Sequence, residues 1–278
     1  MLLQLISHLK NMAVWSAWNY LSSTGKFDPK HQSYAHPIVS YLITITSCFF
    51  LLWKLSDEKD TKPTSTQLKL GIFLFIYAFI VFISRWRQDK QIAIYDMFWQ
   101  CNVSLIITAL SSILGRIDIM CAGAAAVALD QTLYWLDAIS FLLTGKFKLG
   151  VARYLTWKET TWTKVLTATH HLWFIPLTLL AAEEMPWRSF PMSVWMVILV
   201  TNMSRLCIPF EIPFKTQMKY MNVNCVHECW KDIKFPLFHI FDHKGWLGAF
   251  VLLNFNWNGG NFVGFLIYKF IADFAYGS

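Results

Sequence analysis

Charge is what this chain has least of. Only 15% of its 278 residues are Asp, Glu, Lys or Arg, while 55% are hydrophobic. A soluble domain carries about 25% charged residues, so a water-solvated globular domain is excluded and lipid becomes the expected solvent. Short stretches of strictly alternating polarity are also missing, which excludes a membrane β-barrel. There is no internal repeat of the kind that marks inverted-repeat transporters, and no low-complexity tract. A disulfide framework is missing as well. Cys48, Cys101, Cys121 and Cys207 lie in apolar runs, and Cys225 and Cys229 lie in a loop on the basic side of the chain. The first twenty residues lack a small-residue cleavage site and are interrupted by His8, Lys10 and Asn11. They read as an amphipathic interfacial helix, ending in Trp15, Trp18 and Tyr20, rather than as a signal peptide.

What is present is a series of apolar runs near 37–55, 68–86, 92–114, 117–139, 162–182, 189–209 and 245–273. Each approaches or exceeds the roughly 20 residues needed to cross a hydrocarbon core of about 30 Å, and a helix satisfies its own backbone there. The expected fold is therefore all-α: a polytopic membrane bundle of about seven transmembrane helices preceded by an interfacial helix. Residues 1–278 form one integral membrane domain, with 1–35 interfacial and 36–278 the bundle. The aromatic-rich loop at about 210–244 is expected to be ordered against one mouth of that bundle.

Seventeen of the 24 Lys and Arg residues fall on one side of this topology. The positive-inside bias then puts the N-terminus in the cytoplasm and the C-terminus across the membrane, with the organelle left open between endoplasmic reticulum and plasma membrane. The net charge of +7 is explained by basic loops beside anionic headgroups. Membrane lipids are the expected partners, and nucleic acid is not.

The stretch "MFWQCNVSLIITAL" (97–110) breaks the apolar pattern with Gln100, Cys101 and Asn102, and Asp96 stands just before it. Intramembrane polar groups are costly and point to function. Cys101 falls about nine residues into the third run, roughly 13 Å at 1.5 Å per residue. His170 and His171 fall at nearly the same depth in the fifth. Asp130, Tyr134 and Asp137 share a helical face at i, i+4, i+7, and Asn202, Asn254, Asn256 and Asn258 fall in the same layer. A polar cavity opening toward the cytoplasm is the expectation. Such a layer permits nucleophilic chemistry. Cys101 would attack, His171 or His170 would take its proton, and Asp130 or Asp137 would orient the base. Asn254 or Asn256 would donate to an oxyanion, with Asn102 and Tyr134 completing the substrate site.

A second pattern, "NCVHEC" followed by "HIFDH", offers Cys225, His227, Cys229, His239 and His243 at spacings that loosely suit zinc. Packing of an aromatic loop is the commoner reason for such a pattern, and no metal is expected there. No cofactor is expected either, since Lys269 lies too near the far end of the last run to serve as a retinal lysine.

The segment "WQCNVSLIITALSSIL", followed two runs later by "ATHHLWFIPLTLL", resembles the YwaF-like seven-span membrane proteins and their animal relatives over roughly 92–205. The resemblance implies a cysteine-dependent phospholipid acyltransferase, with an acyl thioester at Cys101 and a general base at His170 or His171. The chain departs from that pattern in the Trp99-Gln100 approach to the cysteine and in the "MNVNCVHECWKD" loop. Two other readings stand beside it. A transporter or channel would use the Asp130–Asp137 face, and a structural or assembly protein would use the polar layer as helix-to-helix glue worth about 0.6–2 kcal/mol per residue.

Overall fold

The computed structural model describes residues 27, 29–57, 62–158, 160–233, 236–240, 242 and 246–277. The interfacial helix expected over the first twenty residues lies outside them, and so does His243. The described residues are 74% helix and 3% strand.

Its long helices are α1 (Ala35–Leu55), α2 (Ser65–Asp89), α3 (Gln100–Ile113), α4 (Ile117–Ala125), α5 (Ala128–Thr144), α6 (Trp162–Ala168), α7 (His170–Ala182), α8 (Ser189–Cys207) and α9 (Trp246–Tyr276). α2 opens on a reciprocal capping box between Thr64 and Gln67, which satisfies two of the free backbone donors of its first turn. A two-stranded hairpin, β1 (Glu211–Phe214) and β2 (Gln217–Tyr220), pairs Glu211 with Tyr220 and follows α8.

Among the described residues, four helical segments are long and apolar enough to cross a membrane: α1, α2, Trp162–Ala182 (α6 with α7) and α8. A fifth is α4 with α5 if the pair, bent by 53°, counts as one span. The other two of the seven expected spans fall short for different reasons. α9 has 31 residues, but Asn254, Asn256, Asn258 and Asn261 lower its hydropathy. α3 has only 14 residues, about 21 Å of rise against the roughly 30 Å a bilayer core demands.

The third apolar run is in fact broken. A one-turn helix at Ala93–Asp96 ends, Trp99 turns extended (φ −51°, ψ 132°), and α3 starts afresh at Gln100. A break of this kind leaves backbone groups unsatisfied, and side chains supply the partners. The Asn102 amide donates to the Asp96 carbonyl at 2.8 Å, the Asn224 amide donates to the Phe98 carbonyl at 2.8 Å, and the Gln100 N–H donates to Asn224 Oδ1 at 2.7 Å. The polar residues that interrupt the apolar sequence therefore hold the two halves of a broken helix together.

α3 and α4 form the buried centre. Nine residues of α3 and eight of the nine in α4 are buried. Their close approach needs Gly123, where an added Cβ would lie 2.2 Å from Thr108 Oγ1. Around them, Leu74, Phe174, Ile175 and Phe265 from α2, α7 and α9 close one side, and Met192, Met196 and Val200 of α8 with Cys48 and Leu52 of α1 close the other. The outward faces stay apolar: Leu42, Phe50, Phe79, Leu142, Phe270 and Phe274 are all exposed. A patch this extensive exceeds what a water-solvated monomer shows, and a surrounding of lipid accounts for it.

The two ends differ. At one, Arg116 donates to Ser56 Oγ at 2.7 Å and lies over the Trp53 ring, and Arg188 pairs with Asp57. At the other, three connections meet. Lys219 pairs with Asp89 at 2.5 Å, Gln88 donates to Thr161 and Thr163, and Arg153 pairs with Asp232. Ile208, Ile212, Met221 and Val223 of the segment after α8 pack on Tyr95 and Phe98. The cavity lies beneath this second end.

Candidate functional site

Two helix starts and one helix face build the site. Cys101 is the second residue of α3, so the helix break puts it at the positive end of a helix dipole instead of midway along a span. His170 and His171 are the first two residues of α7, just after Thr169 interrupts the ladder from α6. Asp130 and Tyr134 come from one face of α5. The resulting cavity has a volume of about 540 Å³ and is lined by Cys101, Asn102, Asp130, Tyr134, His170 and His171.

Among the described residues, only Cys101, His170 and His171 gather three candidate donor atoms from His, Cys, Asp or Glu. One atom from each lies within 4.8 Å of the other two. The imidazoles sit 4.2 Å apart between centroids, and Tyr134 stacks on His171 at 4.9 Å. His170 is 3% exposed. Its Nδ1 lies 2.8 Å from the Thr167 carbonyl, which can only accept, so Nδ1 carries the proton and Nε2 presents a lone pair. That Nε2 is buried with no hydrogen-bond partner. The Thr167 carbonyl also accepts from the Tyr77 hydroxyl at 2.9 Å, which fixes the kink. His171 Nδ1 lies 3.4 Å from Asp130 Oδ2 without hydrogen-bond geometry, a contact of opposite charges once the imidazole is protonated.

The remaining expected residues are distributed differently. Asp137 does not line the cavity. It is fully buried and its carboxylate accepts from Leu149 N–H at 2.7 Å and Ala152 N–H at 3.0 Å, so it clamps the 145–152 loop. Asn254 donates to the Phe250 carbonyl of its own helix and accepts from Thr201 at 3.4 Å. Asn256 donates to the Leu237 carbonyl at 3.0 Å and faces a separate small pocket. Both therefore join segments of the fold and lie outside the main cavity. The described members of the sequence pattern at 225–243 each have other surroundings. His227 faces Arg205 at 3.3 Å, His239 is held by Asp242 at 2.7 Å and by the Ile233 carbonyl, and Cys225 and Cys229 are free thiols.

His227 carries a consequence for pH. Burial and the neighbouring Arg205 cation push its pKa down to about 4 from an ordinary 6.5. The folded chain therefore binds that proton less readily than the unfolded chain, so stability is full above about pH 6.5 and falls as pH drops toward 4, with a limiting slope of about 1.4 kcal/mol per pH unit. His227→Gln should flatten that part of a Tm-versus-pH profile. An unchanged acid slope would assign it to other groups.

Four residues that line the cavity were not among the sequence candidates. Arg85 of α2 is half-buried, its Nη1 is buried without a partner, and its charge bears on Cys101 and His170. Tyr154 sits in the 145–161 loop, with its hydroxyl pKa driven well up by burial. Asn224 lines the same wall, and its left-handed backbone (φ 56°) is a conformation that asparagine tolerates best after glycine. Asn261 caps the bend between α4 and α5 by accepting from Leu129 N–H at 2.9 Å and donating to the Ala126 carbonyl at 3.1 Å. The only sequence signal for the two asparagines is polarity inside apolar or aromatic surroundings, and it does not say which backbone group each will satisfy.

Set against known proteins, the chain matches no protein family, no curated protein and no solved structure.

Proposed function

We propose that this chain is a membrane-embedded acyltransferase or lipid hydrolase in which Cys101 is the nucleophile and His170 the general base. The reading rests on two observations: a ring nitrogen of His170 gathers with the Cys101 sulfur and a ring nitrogen of His171, and the Nε2 of His170 is buried without a partner. His170 Nε2 takes the thiol proton, and the thiolate forms a bond to the acyl carbonyl carbon of an ester. Collapse of the tetrahedral adduct breaks the ester C–O bond, and the leaving alkoxide takes the proton back from His170. An acceptor hydroxyl or water then attacks the thioester, again giving its proton to His170, and Cys101 is released as the thiol. Hydrogen-bond distances are commonly long before substrate binds, which accommodates the 4.8 Å outer limit of the cluster.

Arg85 gives this cavity a cation without a fixed partner, which suits an anionic substrate such as a phospholipid, and the exposed apolar helix faces suit delivery from the bilayer. The asymmetry of Lys and Arg supports a cavity on the cytoplasmic side. The resemblance to the YwaF-like proteins points the same way. Purified protein incubated with phospholipid is expected to gain an acyl mass that neutral hydroxylamine removes and that Cys101→Ala never acquires. A folded wild-type protein with no such adduct would overturn the reading.

A further inference from the structure

Cys101, His170 and His171 supply a thiol and two imidazoles, the donor set that zinc prefers. Three further observations make the cluster more than a coincidence of residue types. His170 donates Nδ1–H to a backbone carbonyl and keeps a free Nε2 lone pair, the outer-shell arrangement that metal-ligating histidines almost always show. That free atom belongs to a side chain 3% exposed and has no partner, so its desolvation is uncompensated. Asp130 stands 3.4 Å from His171 Nδ1 and so places a carboxylate beside the second imidazole.

We infer that Cys101, His170 and His171 bind a soft divalent cation, zinc being the type, with the cavity side of the ion open to water or substrate. Tetrahedral zinc, with bonds of about 2.0–2.3 Å, places its donors roughly 3.3–3.8 Å apart. The observed limit of 4.8 Å therefore asks for a contraction of about 1 Å, within reach of side-chain rotation at Cys101 and His171, both of which line open volume. Binding replaces the thiol proton by the metal, and that proton leaves to solvent. Because the sulfur then holds the ion, metal and acyl group exclude one another there. The metal site itself stands without the acyl-transfer reading; only the exclusion rests on it.

The test uses the intact purified protein in phospholipid nanodiscs, stripped with a chelator and titrated with Co2+. One equivalent is expected to raise a thiolate-to-cobalt charge-transfer band with the intense visible bands of a tetrahedral ion, and Zn2+ should bleach both. The bands should vanish in Cys101→Ser and in His170→Gln, and persist in the Cys225→Ser/Cys229→Ser double variant. A second measurement needs no variant: one equivalent of Zn2+ should slow iodoacetamide labelling of Cys101 in the wild-type protein by about tenfold or more, read by peptide mass, since only the free thiolate is alkylated. Bands that survive loss of Cys101, or labelling of Cys101 indifferent to zinc, would overturn the inference. Acyl trapping on metal-free protein and cobalt binding without an acyl donor are separate readouts, so either reading can fail while the other stands.

Discussion

His170→Gln is expected to lower the rate of thioester formation by about 10²–10⁴, the usual worth of a positioned general base. The fold should survive. Glutamine can still donate an amide N–H toward the Thr167 carbonyl that His170 Nδ1 holds at 2.8 Å, but it cannot take a proton. Loading of an acyl mass, followed by intact mass against time, separates the two properties, since Tm should move little while the rate collapses. His171→Gln should cost less, because His171 is half-buried and leans on Tyr134 and Asp130. Equal loading rates in wild type and His170→Gln would remove His170 from the chemistry. If Asp130→Asn alone abolished function while both histidine variants kept it, the transport reading of the α5 face would take its place.

Asn224→Leu is expected to destabilise the fold strongly. One side chain there accepts from Gln100 N–H and donates to the Phe98 carbonyl and to Ser204 Oγ at 2.8 Å. Leaving buried polar groups unmatched costs about 1–3 kcal/mol each, so the three together put the loss at about 3–5 kcal/mol after partial relaxation. The backbone adds to this, because φ is 56° and a branched side chain in the left-handed region costs a further 1–2 kcal/mol or so. Asn224→Gly removes the hydrogen bonds but keeps that conformation at ease, so it should fall between Leu and wild type. The order of Tm values, wild type above Gly above Leu, is the check. Wild-type stability in both variants would mean that the start of α3 is satisfied from elsewhere.

The helical membrane character was legible from composition, because a deficit of charge over whole runs has few other causes. The cluster of Cys101 with His170 and His171 was reachable through depth: residues at one level of a bundle have a fair chance of meeting, and these do. The number of spans was not. A hydropathy run cannot show that the helix stops at Trp99, since the partners that make the stop tolerable, Asn102 and Asn224, read in sequence as isolated polar residues. Asp137 illustrates the same limit. Its spacing from Asp130 and Tyr134 put it on their helical face, but that face runs past the end of the cavity, where two backbone N–H groups claim the carboxylate. Arg85 escaped notice because it sits at the end of a run, where a basic residue ordinarily marks the membrane boundary.

The short α3 also sets an order of events during synthesis. Gln100 leaves the ribosome long before its partner Asn224, which follows 124 residues later. At about 5–20 residues per second, the newborn half-helix waits roughly 6–25 s with its first turn unmatched. During that interval the segment has too little length to settle across a bilayer, and of the side chains that close its start only Asn102 is present. A chain halted before residue 224 should therefore be unable to complete this turn and should be cleared by membrane quality control, even though every residue of the cysteine–histidine cluster has already been made.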